Sequence, residues 1–243
     1  MSSRRRMLLS AGFKVEQIKN LPIGSKIKFS SGRTFVLQAK NVHTQNTVTL
    51  VSEFITEDYR WISGSDSYSE TSIHTSLMPK YYNELTFVEK SKFVKYGNYQ
   101  HFWIPSEYEL KNQLGFTNNA SKIKKYASGS AGEYWTASHR MREGMYSGEP
   151  VLNPDGSSET RYEASYNGYA DCISKSGSTT EVRVYNGRIW YTEHRLPNGN
   201  SYDTGKTYSG SSTHYERGVV PFCDINGDAF MRFKSGYWIF VNK

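Results

Sequence analysis

The sequence is poor in cysteine, and its cysteines are not arranged as in a metal site. Cys172 and Cys223 are the only two in 243 residues, neither belongs to a Cys-x-x-Cys pair, and no histidine lies at ligand spacing from them. This excludes a zinc site built on cysteine pairs. A single disulfide stays open, but nothing marks the chain for an oxidising compartment, so we expect two buried, reduced thiols in facing strands.

Long hydrophobic runs are also missing. No stretch approaches the ~20 consecutive apolar residues that cross a bilayer, which excludes an integral membrane helix. Hydrophobic residues make up 37% of the chain and the mean hydropathy is -0.67. Aromatic residues nevertheless reach 15%, with 19 tyrosines, so the composition is not that of a disordered chain. At this length we expect either one large folded domain or one domain with appendages.

Nearly all of the net positive charge lies in the N-terminal region. Residues 1–28 hold seven basic side chains against Glu16 alone, a balance of +6, whereas the other 215 residues carry 23 basic and 22 acidic side chains. The body is therefore nearly neutral, and we expect no nucleic-acid partner for it. A basic arm that touches an acidic partner is still compatible with this distribution.

Residues 1–20 form a basic leader by composition. Its apolar run is three residues long, against the roughly 7–15 residues of a secretory signal, so export by that route is not expected. Two interpretations remain, a frayed terminus and an anchor that docks on a larger assembly. The anchor residues would be Arg4, Arg5, Arg6, Met7, Leu8 and Leu9.

Alternating apolar residues predict a β-meander after the leader. Segments 23–29 and 33–39 flank a Ser-Gly turn as a hairpin, and residues 47–55 continue it as a third strand. The buried positions of later apolar strands are expected to include Trp103, Tyr134 and Trp135.

Helical signals are confined to the next third of the chain. Thr86 and Ser106 each precede a glutamate by three residues, the capping box that begins a helix. Residues 72–82 predict a weaker helix, with Ile73 and Leu77 on one face, that Pro79 must end or kink.

The second half of the chain is rich in glycine and tyrosine. Residues 126–218 contain 12 of the 20 glycines and 11 of the 19 tyrosines. Segments 181–185 and 188–192 flank Asn186-Gly187, a dipeptide typical of hairpin turns, so we predict short strands separated by long polar loops. A central domain of residues 21–225 would then be followed by a C-terminal strand extension, 226–243.

Several short motifs occur in one recognisable order. They are LPIGS at 21–25, IPSE at 104–107, YWTAS at 134–138 and GVVPF at 218–222. They resemble the LPVGS, LPSE, YWLRS and GVRPAL motifs of an uncharacterised domain family of Gram-positive bacteria and their phages. The last three are also similar to the C-type lectin-like fold, which implies an α+β domain of short antiparallel strands, long loops and two or three helices. The arginine-rich leader resembles the opening of many predicted phage tail and fibre proteins.

Catalytic motifs are absent from the sequence. It contains no His-Glu-x-x-His, Gly-x-Ser-x-Gly, P-loop or dinucleotide fingerprint. Glu107 and Glu109 point to different sides of a helix start, so we interpret them as capping residues rather than a glycosidase pair. Structural or surface roles are expected for the histidines at positions 43, 74, 101, 139, 194 and 214. The expectation is a protein without enzymatic activity, cofactor or metal.

With catalytic motifs absent, the function class that the composition favours is ligand binding. Loops rich in Gly, Ser and Asn that carry aromatic residues have the composition of an adaptable recognition surface. The candidate ligand-binding residues are Tyr185, Arg188, Trp190, Tyr191, Tyr202, Tyr208 and Tyr215. The alternative is that half or more of these aromatic side chains fill the core of a fold poor in leucine.

The function that we predict is that of a phage virion structural protein, in the tail, a fibre or a head decoration, that displays a domain for a host cell-wall glycan. The alternatives are a purely architectural virion protein without a receptor and a bacterial surface binding module. The expected partners are other virion proteins, bound through the leader, and further copies in a homotrimer. The apolar segment 237–241 is the candidate subunit contact. Such a protein would be made in the host cytoplasm and would not contact a membrane.

Overall fold

The chain has an α+β fold in which strands predominate over helices. The computed structural model describes residues 14–61, 68–115, 132–176, 178–212 and 215–242, apart from the side chains of Met141, 143–147, Tyr166, Tyr208 and Ser212. The strands are β1 (Val15–Gln17), β2 (Lys26–Lys28), β3 (Thr34–Lys40), β4 (Thr47–Ser52), β5 (Asp58–Arg60), β6 (Phe93–Val94), β7 (Phe102–Trp103), β8 (Tyr134–Ser147), β9 (Val151–Leu152), β10 (Ser158–Ile173), β11 (Thr179–Arg195), β12 (Ser201–Ser212), β13 (Glu216–Gly218), β14 (Phe222–Asn226), β15 (Phe230–Lys234) and β16 (Tyr237–Phe240). The helices are α1 (Met78–Asn83), α2 (Phe87–Lys90) and α3 (Glu107–Asn112), with 3-10 turns at Ile18–Asn20 and Tyr68–Glu70 and a π-helical turn at Ile73–Leu77.

Nine of the described strands form a first sheet. Their order is β1-β15-β16-β2-β3-β4-β14-β6, with β7 also paired to β14. The predicted meander is confirmed, because β2, β3 and β4 pair antiparallel in sequence order. All six residues of β4 are buried, since hydrophobic clusters cover both faces of the sheet. Trp103, Tyr134 and Trp135 are at most 2% exposed, which confirms them as core residues.

Both ends of the described chain belong to this sheet. β1 pairs with β15, and Ile18 directly after β1 is fully buried, so the last part of the predicted leader is folded. β16 pairs with both β15 and β2, so residues 226–242 complete the sheet rather than extend it. Trp238 packs in the core, and the apolar segment 237–241 is therefore partly used inside the chain.

Both predicted capping boxes are confirmed. The hydroxyls of Thr86 and Ser106 accept the N–H of the glutamate three residues on, and each glutamate accepts the N–H of its capping residue in return. The carboxylate of Glu89 also accepts the N–H of Ser30 at 2.6 Å and the hydroxyl of the same residue. This buried carboxylate therefore ties the β2–β3 turn to the start of α2.

The weaker helix predicted at 72–82 is present in two parts. A π-helical turn, Ile73–Leu77, leads into α1. Pro79 lies in the first turn of α1, where its missing N–H costs no helical hydrogen bond. Ile73 and Leu77 are at most 1% exposed and form the predicted apolar face.

The second sheet is built on four long strands. Its order is β12-β11-β10-β8-β13-β5, with β9 also paired to β10. β8, β10, β11 and β12 contain 14, 16, 17 and 12 residues. The expectation of short strands and long loops is wrong for residues 134–212, which form mainly these antiparallel strands. At about 3.4 Å per residue, β11 is close to 60 Å long.

The hairpin predicted at Asn186-Gly187 is also wrong, because β11 continues through both residues. Asn186 lies opposite Asn167 of β10 on one side and Ser211 of β12 on the other. Backbone pairing on both sides holds the dipeptide extended. The same dipeptide at Asn226-Gly227 does form a turn, between β14 and β15.

The two cysteines are free and buried, as predicted. They do not face one another in one sheet, since Cys172 lies in β10 and Cys223 in β14. Burial raises the pKa of both thiols, so they stay protonated and unreactive at neutral pH.

Candidate binding surface

The outer part of the second sheet carries most of the predicted ligand-binding residues. We call residues 142–167 and 186–211 the ribbon. Among the described side chains of the ribbon, Ala164 is the one hydrophobic residue that is buried. The inner ends of the same strands contribute Ala137, Ala170 and Val184 to the core. The sheet is thus anchored at one end and solvent-accessible on both faces at the other.

Two equivalent turns close the far end of the ribbon, at 153–157 and 196–200. In both, the N–H of the first residue donates to the carbonyl of the fifth at 2.8 Å, and the glycine N–H donates to the carbonyl of the first. The side chain of the third residue accepts the N–H of the fifth. Gly156 and Gly199 have φ of 83° and 88°, which glycine adopts at low cost. The Pro-Asp-Gly and Pro-Asn-Gly sequences explain this shared geometry.

Alternation along the strands divides the ribbon side chains between two faces. The Trp190 face carries Glu159, Glu163, Arg188, Trp190, His194 and Tyr202. The Tyr191 face carries Tyr162, Tyr185, Ile189 and Tyr191. The predicted binding residues therefore do not form one surface.

The Trp190 face combines aromatic rings with paired charges. Tyr202 is 51% exposed and stacks on His194, with 5.0 Å between ring centroids and 12° between planes. His194 Nδ1 lies 3.3 Å from a carboxylate oxygen of Glu159. Arg188 donates to Glu163 at 2.6 Å. Trp190 is half-buried beside these pairs, so the face offers exposed ring area flanked by hydrogen-bonding groups.

The rings of the Tyr191 face are covered from within the sheet. Tyr191 stacks on Tyr162, with 5.0 Å between centroids and 13° between planes, and Lys206 Nζ lies 5.5 Å from the Tyr191 centroid. Tyr162 donates its hydroxyl to Glu193 at 2.9 Å, and this hydrogen bond raises the pKa of Tyr162. With partners on both sides, the Tyr191 ring has little face left for a ligand.

Tyr185 is placed by a glycine on the neighbouring strand. A Cβ atom at Gly210 would lie 2.1 Å from the Tyr185 hydroxyl oxygen and 2.4 Å from its Cζ. The ring therefore crosses the position that a side chain at 210 would fill. The role that this contact indicates for Tyr185 is packing between β11 and β12.

The outermost strand, β12, contains a bulge. Trp190 pairs with Thr207 and Thr192 with Thr204, so two residues of β12 oppose one of β11. Gly205, one of the two β12 residues in the bulge, has a φ of 65°. A glycine in the left-handed region is typical of such bulges. Lys206 follows and pairs with Asp203 at 3.0 Å.

The remaining predicted residues lie elsewhere. Tyr215 is 53% exposed and precedes β13, at the inner part of the sheet. The backbone of Tyr208 belongs to β12, but its side chain is outside the described structure. The predicted anchor residues Arg4, Arg5, Arg6, Met7, Leu8 and Leu9, together with His214, are also outside the described residues.

A buried histidine–aspartate pair lies away from the ribbon. His43 Nδ1 is 2.7 Å from Asp224 Oδ2, both side chains are at most 3% exposed, and Thr49 donates to the other carboxylate oxygen at 2.7 Å. His43 also stacks on Tyr96 at 3.8 Å. Burial and the charge of Glu109 raise the pKa of Tyr96 to about 12. The burial of this pair keeps substrates away from the imidazole, and its contacts join the β3–β4 loop to β14.

Sequence reasoning missed the acidic and histidine members of the Trp190 face. Glu159, Glu163 and His194 point to the Trp190 face because alternate residues of a strand share a face. This grouping is hidden when residues 181–192 are divided into two short strands. The Pro-Asp-Gly and Pro-Asn-Gly sequences are turn signals that could have predicted where β10 begins and where β11 ends.

The described ranges contain no group of three His, Cys, Asp or Glu side chains that could hold a metal ion. None of the helices in the same ranges is long and apolar enough to cross a membrane. Comparisons of the chain with protein-family models, with curated proteins and with solved structures find no match. A functional assignment must therefore rest on the chemistry of the ribbon and on the short motifs.

Proposed function

We propose that the chain is a phage virion structural protein whose ribbon binds a cell-wall glycan through the Trp190 face. The observation that carries the binding part is the combination on that face of a half-exposed Tyr202 ring, Trp190, the Arg188–Glu163 ion pair and the His194–Glu159 contact. The virion part depends on the resemblance of the leader and of the four short motifs. The C-type lectin-like relationship belongs to the same proposal.

A saccharide suits this face better than a charged ligand. Arg188 neutralises Glu163, and Arg161, which lies on the same face opposite Thr192, balances the charge of Glu159, so the face presents polar groups with little net charge. Sugar rings have apolar C–H faces that pack on aromatic rings and hydroxyls that hydrogen-bond with carboxylates and guanidinium groups. The Tyr191 face lacks this combination, because its stacked rings already cover one another.

The test uses insoluble cell walls from a panel of Gram-positive bacteria, prepared with and without their teichoic acids. Binding of the full chain is measured by co-sedimentation. Trp190→Ala and Tyr202→Ala should each weaken binding about 10- to 100-fold, the equivalent of the ~1–3 kcal/mol that aromatic stacking contributes to other flat ligands. Tyr191→Ala is the matched control on the opposite face and should leave the affinity of the folded protein unchanged.

Thermal unfolding of each variant separates binding from folding. Lost binding at an unchanged melting temperature supports the glycan surface. If the wild-type chain binds no wall preparation, or if the variants lose stability but not binding per folded molecule, the glycan proposal fails and an architectural role is favoured. Walls stripped of teichoic acids identify which polymer is bound.

A further inference from the structure

The far end of the ribbon exposes aliphatic side chains. Val151 is 63% exposed, Leu152 78% and Leu196 38%. They lie beside the two closing turns, which are next to each other, since a Cβ added at Gly156 would be 3.9 Å from the ring of Pro197. We call residues 149–159 and 194–200 the tip. A rigid apolar tip at the end of a solvated sheet is typical of a docking element.

The body of the same chain carries an apolar groove of about 400 Å³ between α2 and the β2–β16 pair. Its apolar lining comes from Phe29, Val88, Ile239, Phe240 and Val241. Phe87, at the start of α2, is 86% exposed next to Val88. The groove therefore has room for a few aliphatic side chains and an apolar margin around them.

The charges around the tip and the groove are complementary. Within the tip, three acidic side chains, Glu149, Asp155 and Glu159, stand against Arg195, which leaves an excess of negative charge. Lys28 lines the groove. Glu89 itself is buried and its carboxylate is occupied by Ser30 and Thr86, so the accessible charge beside the groove is positive.

We propose that the tip of one copy docks into the groove of a second copy of this chain. In the single chain both surfaces are exposed, so the tip does not fill its own groove. Because the two surfaces differ, the contact is head-to-tail, and repetition of it either closes a ring or continues as a chain of copies. The contact does not depend on glycan binding, because Arg188, Trp190 and Tyr202 lie outside the tip, whereas Glu159 and His194 belong to both surfaces.

Two single variants test the contact. Leu152→Glu places a charge in the tip and leaves the groove intact, whereas Val88→Glu places one in the groove and leaves the tip intact. An acidic residue in the first turn of α2 is compatible with that helix. Ile23→Glu is the matched control, since Ile23 is a 56% exposed aliphatic residue outside both surfaces. Light scattering at micromolar concentration should report oligomers for the wild type and the control, and monomers of 27.8 kDa for each variant.

Mixing the two variants makes the test specific. The intact groove of Leu152→Glu and the intact tip of Val88→Glu can form one junction and no more, so an equimolar mixture should give a dimer with twice the chain mass. Circular dichroism checks that each variant is folded. A monomeric wild type, a mixture that stays monomeric, or an oligomeric Val88→Glu protein overturns the proposal.

A second measurement does not depend on charged substitutions. Leu152→Cys and Val88→Cys chains, mixed under mild oxidation, should form a disulfide-linked heterodimer, since the native thiols are buried. Ile23→Cys mixed with Leu152→Cys is the control. Equal cross-linking in both mixtures would contradict a specific contact.

Discussion

Two histidines at the helical side of the molecule lie in surroundings that oppose their protonation. Burial lowers the pKa of His74 and of His101, and the nearby charge of Lys95 lowers both further. His74 lies edge-on to Tyr68 at 5.1 Å, and His101 stacks on Tyr82 at 4.0 Å. The aromatic neighbours offer the imidazolium no carboxylate, so the neutral rings are favoured in the folded state.

The lowered pKa values of His74 and His101 in the folded state predict that the protein loses stability in mild acid. The unfolded chain protonates its histidines near the ordinary pKa of about 6.5, before the folded chain does, so it binds more protons in the window below that value. The contribution of the two neutral histidines is complete above about pH 7 and is lost as the pH falls from about 6.5 towards the lowered pKa values. Thermal melts at both ends of this window should show a smaller acid-induced decrease for the His74→Gln, His101→Gln double variant than for the wild type. Equal decreases would contradict the assignment.

At the scale of elements, the β11–β12 pair depends on the ring of Tyr185 over Gly210. A methyl group at 210 would collide with that ring, so Gly210→Ala should lower the free energy of unfolding by about 1–3 kcal/mol, the usual cost of overpacking. Adding Tyr185→Ala removes the collision. Urea denaturation should therefore show that the double variant loses less than the sum of the two single variants. Strict additivity would mean that the ring does not rest on Gly210.

The same element shows why local signals did not determine the second sheet. Asn226-Gly227 and Asn186-Gly187 have the same intrinsic preference for a turn, but Asn186 has neighbouring strands on both sides. Long-range pairing that no local window contains decides between the two outcomes. The β2–β4 meander of the first sheet and the two capping boxes were predictable because they are local patterns, in which strands adjacent in sequence pair and each capping residue finds its glutamate three positions on.

The candidate site was predictable in composition but not in arrangement. Composition predicts Arg188, Trp190 and Tyr202 as candidate ligand-binding residues, and the strand register places them on one face. Tyr191 was grouped with Trp190 because the two are adjacent in sequence, yet adjacent residues in a strand point to opposite faces. The correct grouping requires knowing that β11 is one strand with one register.

At the scale of the whole molecule, the N-terminal boundary gives a quantitative prediction. Deletion of residues 1–13 leaves every described strand and helix in place and gives the reference stability. Deletion of residues 1–20 also removes β1 and the fully buried Ile18, and should cost more than about 3 kcal/mol. Urea denaturation of the two truncated chains tests this, and equal stabilities would show that residues 14–20 are not needed for the body.

The bulge at Gly205 has a consequence for crowded solutions. A twelve-residue outer strand offers unpaired backbone groups to any other exposed strand, and flat edges of this kind promote uncontrolled aggregation. The extra residue and the adjacent Lys206 interrupt that edge near its middle and place a charge there. Continuous strand-to-strand stacking along β12 is thereby disfavoured. Many copies can then be held close together without growing into fibrils through this edge.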